Sequence, residues 1–297
     1  MCDEQTVKDN AAYLKRQDRI SRRTFATLAG SAAVVAGLGV VGETALAETV
    51  EVVEENIKVT TPDGVADCYF VRPVKGKHAA VIVWPDIVGL RPAYKTMGKR
   101  LAESGYAVLV VNPYYRKATA PVVPAGSSFQ DQSVRDTIFP LARSLSAKTN
   151  VVDAKAFVKF LDQQPSVDTG RKIGTTGYCM GGSMVMRTAA TLPERIGAGA
   201  TFHGGGLATD ADDSPHLLVP KMKASFMFAI AGNDDEKDPK AKELLKAAYE
   251  TADLPAEIKV YEGTLHGWCA LDSAVYNQAA ANHAHTRLLA LFDKALA

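Results

Sequence analysis

The chain has 297 residues, with 34 Lys/Arg against 33 Asp/Glu and a formal net charge of +1. This near-neutral balance, without a basic run, excludes a charge-driven nucleic-acid partner. Four cysteines in so long a chain exclude a small disulfide-stapled scaffold.

The first element in chain order is an export signal. Ser21-Arg22-Arg23-Thr24-Phe25 sets a paired arginine ahead of an apolar, Ala/Gly/Val-rich run from Ala26 to Gly42, and Ala45-Leu46-Ala47 follows with small residues where a signal peptidase accepts them. The twin arginines point to the Tat export machinery, with cleavage after Ala47 and a periplasmic or secreted product. Residues 1–47 hold six of the Lys/Arg and five of the Asp/Glu, so the remaining 250 residues carry 28 of each. That length suits one domain, 48–297. No later apolar stretch is long enough to span a bilayer, so no membrane span is expected in the mature form. Cys2 leaves with the signal; Cys68, Cys179 and Cys269 stay, an odd number that leaves at least one thiol free.

Glu51–Thr60 and Ala66–Arg72 read as strands around a Pro62-Asp63-Gly64 turn. Ala79–Trp84 (AAVIVW) and Tyr106–Val111 (YAVLVV) are continuous apolar runs, as in strands buried on both faces. Between them Pro92 opens a helix to about Ser104. From Arg116 to Asn150, with prolines at 121, 124 and 140, the pattern predicts a long excursion containing some helix. An amphipathic helix over Val151–Gln163 follows. Then strand and helix alternate: strand 172–176, helix 180–192, strand 197–202, strand 225–231, helix 239–252, strand 257–261 and a helix reaching Leu296. This order predicts an α/β fold with a mostly parallel sheet of about eight strands and helices on both faces. Ligands on such sheets sit at the carboxyl ends of the strands.

At the end of the strand 172–176 stands Gly177-Tyr178-Cys179-Met180-Gly181-Gly182, and a helix follows. Strand, G-x-nucleophile-x-G turn and helix make a nucleophile elbow, here with cysteine. So tight a reversal strains the central residue and projects its side chain, and the helix N-terminus behind it favours the thiolate. The acid of such an elbow follows a later strand and the histidine follows the last one. Gly232-Asn233-Asp234-Asp235-Glu236 and Glu262-Gly263-Thr264-Leu265-His266 occupy those places. Asp235, three residues past Gly232, is the chosen acid and Asp234 the second candidate; His266 is the base. His203 also ends a strand, but it precedes the acid and reads as pocket lining. For the oxyanion, the N–H groups of Met180 and Ile87 are the candidate donors.

These residues resemble the dienelactone hydrolase family: G-Y-C-x-G-G at 177–182, G-x-x-D-x-x-x-P at 232–239, H-G-aromatic at 266–268 ending in Trp268, and Pro85-Asp86-Ile87-Val88-Gly89, all in the family's order. The resemblance spans the mature chain and implies an α/β-hydrolase fold with Cys179, Asp235 and His266 as a triad. It also implies that Asp86 stands where an acid helps to form the thiolate; the other reading of Asp86 is a turn cap or pocket residue. Family members acting on dienelactone grip its carboxylate with arginines. Arg116 matches one, while Ala270 stands four residues past His266 where the other would be, so the substrate is expected to differ from dienelactone. Arg116, His203 and Trp268 are the candidate substrate-binding residues. Cys269, three residues from His266, has no second clustered pair, so no metal site is expected and no cofactor is implied. Cys68 and Cys269 read as small buried hydrophobes.

The leading functional reading is therefore an exported, cofactor-free hydrolase of small esters or lactones acting through an acyl-enzyme on Cys179. The alternative is a non-catalytic member that binds a small molecule in the same cleft.

Overall fold

A computed structural model of the chain describes residues 5–15 and 50–297. The expected export features, Arg22-Arg23, the apolar run 26–42 and the Ala45–Ala47 site, lie outside the described residues. Residues 5–15 form a helix, α1, that the sequence reading did not single out.

Eight strands form one sheet: β1 (Val52–Thr61), β2 (Gly64–Pro73), β3 (Ala80–Trp84), β4 (Ala107–Val111), β5 (Ile173–Tyr178), β6 (Ile196–Phe202), β7 (Ser225–Ala231) and β8 (Ala256–Tyr261). Their order is β1-β2-β4-β3-β5-β6-β7-β8. The first three of these pair antiparallel, and β4 through β8 run parallel. The hairpin joining β1 to β2 closes on Gly64 at φ +139, which only glycine adopts without strain. The expectation of about eight strands in a mostly parallel sheet is met.

Helices cover both faces. α4 (Ala147–Asp162), α5 (Met180–Thr191) and α7 (Pro239–Thr251) bring Phe157, Leu161, Val185, Leu245 and Tyr249 against one side. α2 (Pro92–Ala102) and α8 (Gln278–Ala295) bring Tyr94, Leu101, Leu288 and Phe292 against the other. Large apolar side chains buried to this extent each contribute about 1.5–3 kcal/mol. The strands between are apolar on both faces because both are covered; all five residues of β3 and of β4 are buried.

In the expected excursion 116–150 lies α3 (Gln132–Arg143), which continues through Pro140, and α4 begins at Ala147 rather than Val151. The earlier start has a local cause. Ser146 and Thr149 form a reciprocal capping box, with each side chain accepting the other's backbone N–H. A short helix, α6 (Gly232–Lys237), and a 3-10 turn over Pro215–Lys221 were not expected; neither is long enough to show a period. Among the described residues no helix is long and apolar enough to cross a membrane.

Candidate active site

β5 delivers Cys179 to the carboxyl edge of the sheet. Its register pairs Gly177 with Trp84 of β3 and Tyr178 with Phe202 of β6, so the turn after it lies between the loop leaving β3 and the loop leaving β6. Cys179 has φ +52 and ψ −115, a conformation that L-residues avoid. Three backbone hydrogen bonds hold it there. Cys179 N–H donates to Phe202 O at 3.0 Å, and Gly182 and Gly205 donate to Cys179 O at 3.0 and 3.1 Å. The glycines have a steric reason: a Cβ on Gly177 would lie 2.3 Å from Gly181 O, and one on Gly181 would lie 2.3 Å from Trp84 O. The elbow predicted from the motif is present, with its strain localised on the nucleophile candidate.

His266, in the loop after β8, is buried and directed at this turn. Its backbone N–H donates to Asn233 Oδ1 at 2.8 Å, and its Nδ1 lies 2.7 Å from Asp234 Oδ2. A carboxylate only accepts, so Nδ1 carries the proton and the ring is fixed in one tautomer. Nε2 has no hydrogen-bond partner among the described residues, and the sulfur of Cys179 acts on this ring as a neighbouring charge that raises its pKa. Burial would strip a proton from the ring. The sulfur of Cys179 and the carboxylate of Asp234 outweigh that and hold its pKa up to about 10. Burial pushes Asp234 the other way, up, but His266 holds it below the usual carboxylate range.

The carboxylate that meets the His266 ring is thus Asp234, and the expectation of Asp235 in that place is corrected. Asp235 Oδ2 accepts from Lys242 Nζ at 2.6 Å, on the side facing α7. Neighbouring positions in a helix are about 100° apart, so once α6 begins at Gly232 only one of the two aspartates can face the ring.

His203 lines the same cleft, as expected, with its ring centre 5.0 Å from that of His266. It is buried, sits at φ +40, and neither ring nitrogen has a hydrogen-bond partner among the described residues. Burial, then the neighbouring His266 charge, pull its pKa down to about 4. The two imidazoles are therefore shifted in opposite directions, His266 up and His203 down.

Asp86 is a turn cap and an ion-pair partner. Its Oδ1 accepts from Val88 N–H at 2.9 Å, and Arg91 grips both carboxylate oxygens at 2.6 and 3.0 Å. Arg91 also binds Asp272 at 2.7 Å. Burial opposes the charge on Asp86, but Arg91 keeps its carboxyl ionised. Arg91 and Asn233 are site residues that the sequence reading missed. The signal for Arg91 was its place immediately before the helix-opening Pro92; nothing local marked Asn233. Tyr114 Oη donates to Ile87 O at 2.7 Å and fixes that loop. Neither the Ile87 nor the Met180 N–H donates to an acceptor among the described residues, which suits both as oxyanion donors.

Two clefts open at Cys179. One of about 280 Å³ is the more polar of the two, with Asp86, Arg91, His203 and His266 on its walls. The other, of about 680 Å³, runs between Phe139, Leu145, Met180 and Met184. Arg116 reaches neither. It is bonded to Asp153 at 2.6 Å and to Asp63 at 2.7 Å, so the expectation of a substrate-binding role is corrected to a structural one. Trp268 is corrected likewise: it is wholly buried, stacked 4.6 Å from Tyr261, and lines neither cleft. Cys68, Cys179 and Cys269 are buried, and none of the three is in a disulfide. Among the described residues no group of three His, Cys, Asp or Glu side chains stands together to hold a metal ion.

Residues 66–296 match the model of the dienelactone hydrolase family. The Pseudomonas putida carboxymethylenebutenolidase is 24% identical over 238 residues, covering 79% of this chain and 94% of that protein. The Rhodococcus opacus carboxymethylenebutenolidase is 25% identical over 226 residues, with 74% and 83% covered. A dienelactone hydrolase-like promiscuous phosphotriesterase from metagenomic libraries superposes with a TM-score of 0.68 at 20% identity, covering 83% of this chain and 99% of that one. The chain belongs to the dienelactone hydrolase family, with the α/β-hydrolase fold.

Proposed function

We propose that this protein is an exported hydrolase of small carboxylic esters or lactones, with Cys179 as nucleophile, His266 as base and Asp234 as the acid that orients it. The observation that carries this reading is the Asp234–His266 contact of 2.7 Å on a ring coupled to the sulfur of a strained elbow. An imidazolium beside the sulfur stabilises the thiolate. The thiolate adds to the acyl carbon, and the oxyanion takes the N–H groups of Ile87 and Met180. The C–O bond then breaks, and the leaving alkoxide takes the Nε2 proton of His266. Water adds to the thioester as His266 removes its proton; the acid departs and the thiolate returns. In a lactone, the alcohol released in the first step stays tethered to the acyl group.

The wide cleft suits an apolar substituent on the substrate. Ala270 and the structural Arg116 leave no counterpart of the family's carboxylate clamp, which supports a substrate other than dienelactone. The test is hydrolysis of p-nitrophenyl esters and lactones by wild type and Cys179→Ala. Turnover by wild type alone supports the reading, and equal activity of the two overturns it. Export by the Tat machinery rests on Arg22, Arg23 and the 45–47 site. With both arginines changed to lysine the chain should stay cytoplasmic at full length, and periplasmic recovery of that variant would refute the assignment.

A further inference from the structure

α1 does not stand apart from the domain. Its Thr6 and Asn10, one turn apart, are buried, at 3% and 8% exposure, and form part of the wall of the more polar cleft that also holds Cys179, His203 and His266. Asp9, on the same face, pairs with Lys237 of α6 at 2.8 Å and accepts from Asn233 Nδ2 at 3.4 Å. Gln5 Nε2 steadies that carboxylate at 2.8 Å. Asn233 in turn accepts the backbone N–H of His266, so the helix is fastened to the residues that carry the acid and the base. The docked face is polar, and Asn10 Oδ1 is buried without a partner. A helix this short is marginal alone and depends on what it touches. It also lies outside the region matched by the family model, which begins at residue 66.

We infer that residues 5–15 act as a cap on the catalytic cleft, a segment of the chain that occupies the mouth of its own site and restricts access to the Cys179 thiol while it remains attached. The ion pair and the amide bond that fasten Asp9 are polar and partly exposed, and such pairs contribute up to about 1 kcal/mol, so the cap is held weakly enough to be lost. Because it precedes the paired arginine, cleavage after Ala47 would discard it together with the signal; only that consequence rests on the export reading. The thiol would then be shielded in the precursor and uncovered in the mature form, with no change within the domain itself.

The test uses the full chain and reads the thiol directly, as the rate of Cys179 carbamidomethylation by iodoacetamide followed by peptide mass spectrometry. Asp9→Lys sets like charges against Lys237 and should raise that rate by about fivefold, equivalent to ~1 kcal/mol of docking. Adding Lys237→Asp to Asp9→Lys restores an opposite pair and should return the rate to that of wild type. Alkylation at the wild-type rate in Asp9→Lys, or an elevated rate that persists in the double variant, would overturn the cap. Alkylation needs no turnover, so this result stands apart from whether the protein hydrolyses esters.

Discussion

Asp234→Asn is the substitution that separates the site seen in the structure from the one expected on motif spacing. It keeps the side chain's shape and removes its charge. The carboxylate lies 2.7 Å from Nδ1 of a ring that is only 1% exposed, and its own side chain is 20% exposed, so solvent screening is small. A charge-assisted bond of this kind contributes about 1.5–3 kcal/mol, or about 10- to 150-fold in rate. The amide can also present its NH₂ to Nδ1 and select the wrong tautomer, a change that costs about 10⁴ in a serine triad. Ester kcat should therefore fall by between about 10-fold and 10⁴-fold. Asp235→Asn loses only the ion pair with Lys242, whose side chain is 30% exposed; such pairs contribute up to about 1 kcal/mol to stability. Its kcat should stay within about twofold of wild type, since Lys242 touches neither reacting group. Steady-state hydrolysis of a p-nitrophenyl ester by both variants, with folding checked by circular dichroism, decides the matter. A loss in Asp235→Asn as deep as in Asp234→Asn, or full activity in Asp234→Asn, would refute the assignment.

Arg116→Ala should leave KM for a small ester unchanged and lower unfolding free energy by about 3 kcal/mol in urea, because it strands the buried carboxylate of Asp153; a raised KM with unchanged stability would reverse the correction. Gly181→Ala places a Cβ 2.3 Å from Trp84 O and should abolish activity with a fall in Tm, whereas an active, equally stable variant would contradict the close approach described for the elbow. His203 has a folded pKa of about 4, below its ordinary 6.5, so the unfolded chain binds the extra proton between those values. Its contribution to stability is full above about 6.5 and is lost as pH falls towards 4, by ~3 kcal/mol. His203→Gln should remove that part of the acid limb in denaturant titrations; identical limbs in the two proteins would show that the ring is not held neutral.

Much of the fold was legible because β3, β4 and β7 are continuous apolar runs that only a doubly covered sheet accommodates. Cys179 was legible because the glycines at 177 and 181 are imposed by backbone contact with the turn itself and with the loop leaving β3. The choice between Asp234 and Asp235 was not, because it depends on where a six-residue helix begins, and no period can be read over so few residues. Arg116 and Trp268 failed for a different reason. Their partners, Asp63, Asp153 and Tyr261, are brought to them by tertiary packing, so position in a motif could not reveal that the first is neutralised and the second sealed in the core. The start of α4 was written in Ser146 and Thr149, a capping box that the prolines at 121, 124 and 140 obscured.

The central claim is that the sulfur of Cys179 carries the acyl group during turnover. Quenching the protein in acid during hydrolysis of a slowly deacylating ester, followed by peptide mapping, reads that bond directly. The acyl mass should appear on the peptide containing Cys179 and be discharged by hydroxylamine. Sustained turnover with that peptide unmodified and the acyl group on another side chain would contradict the account.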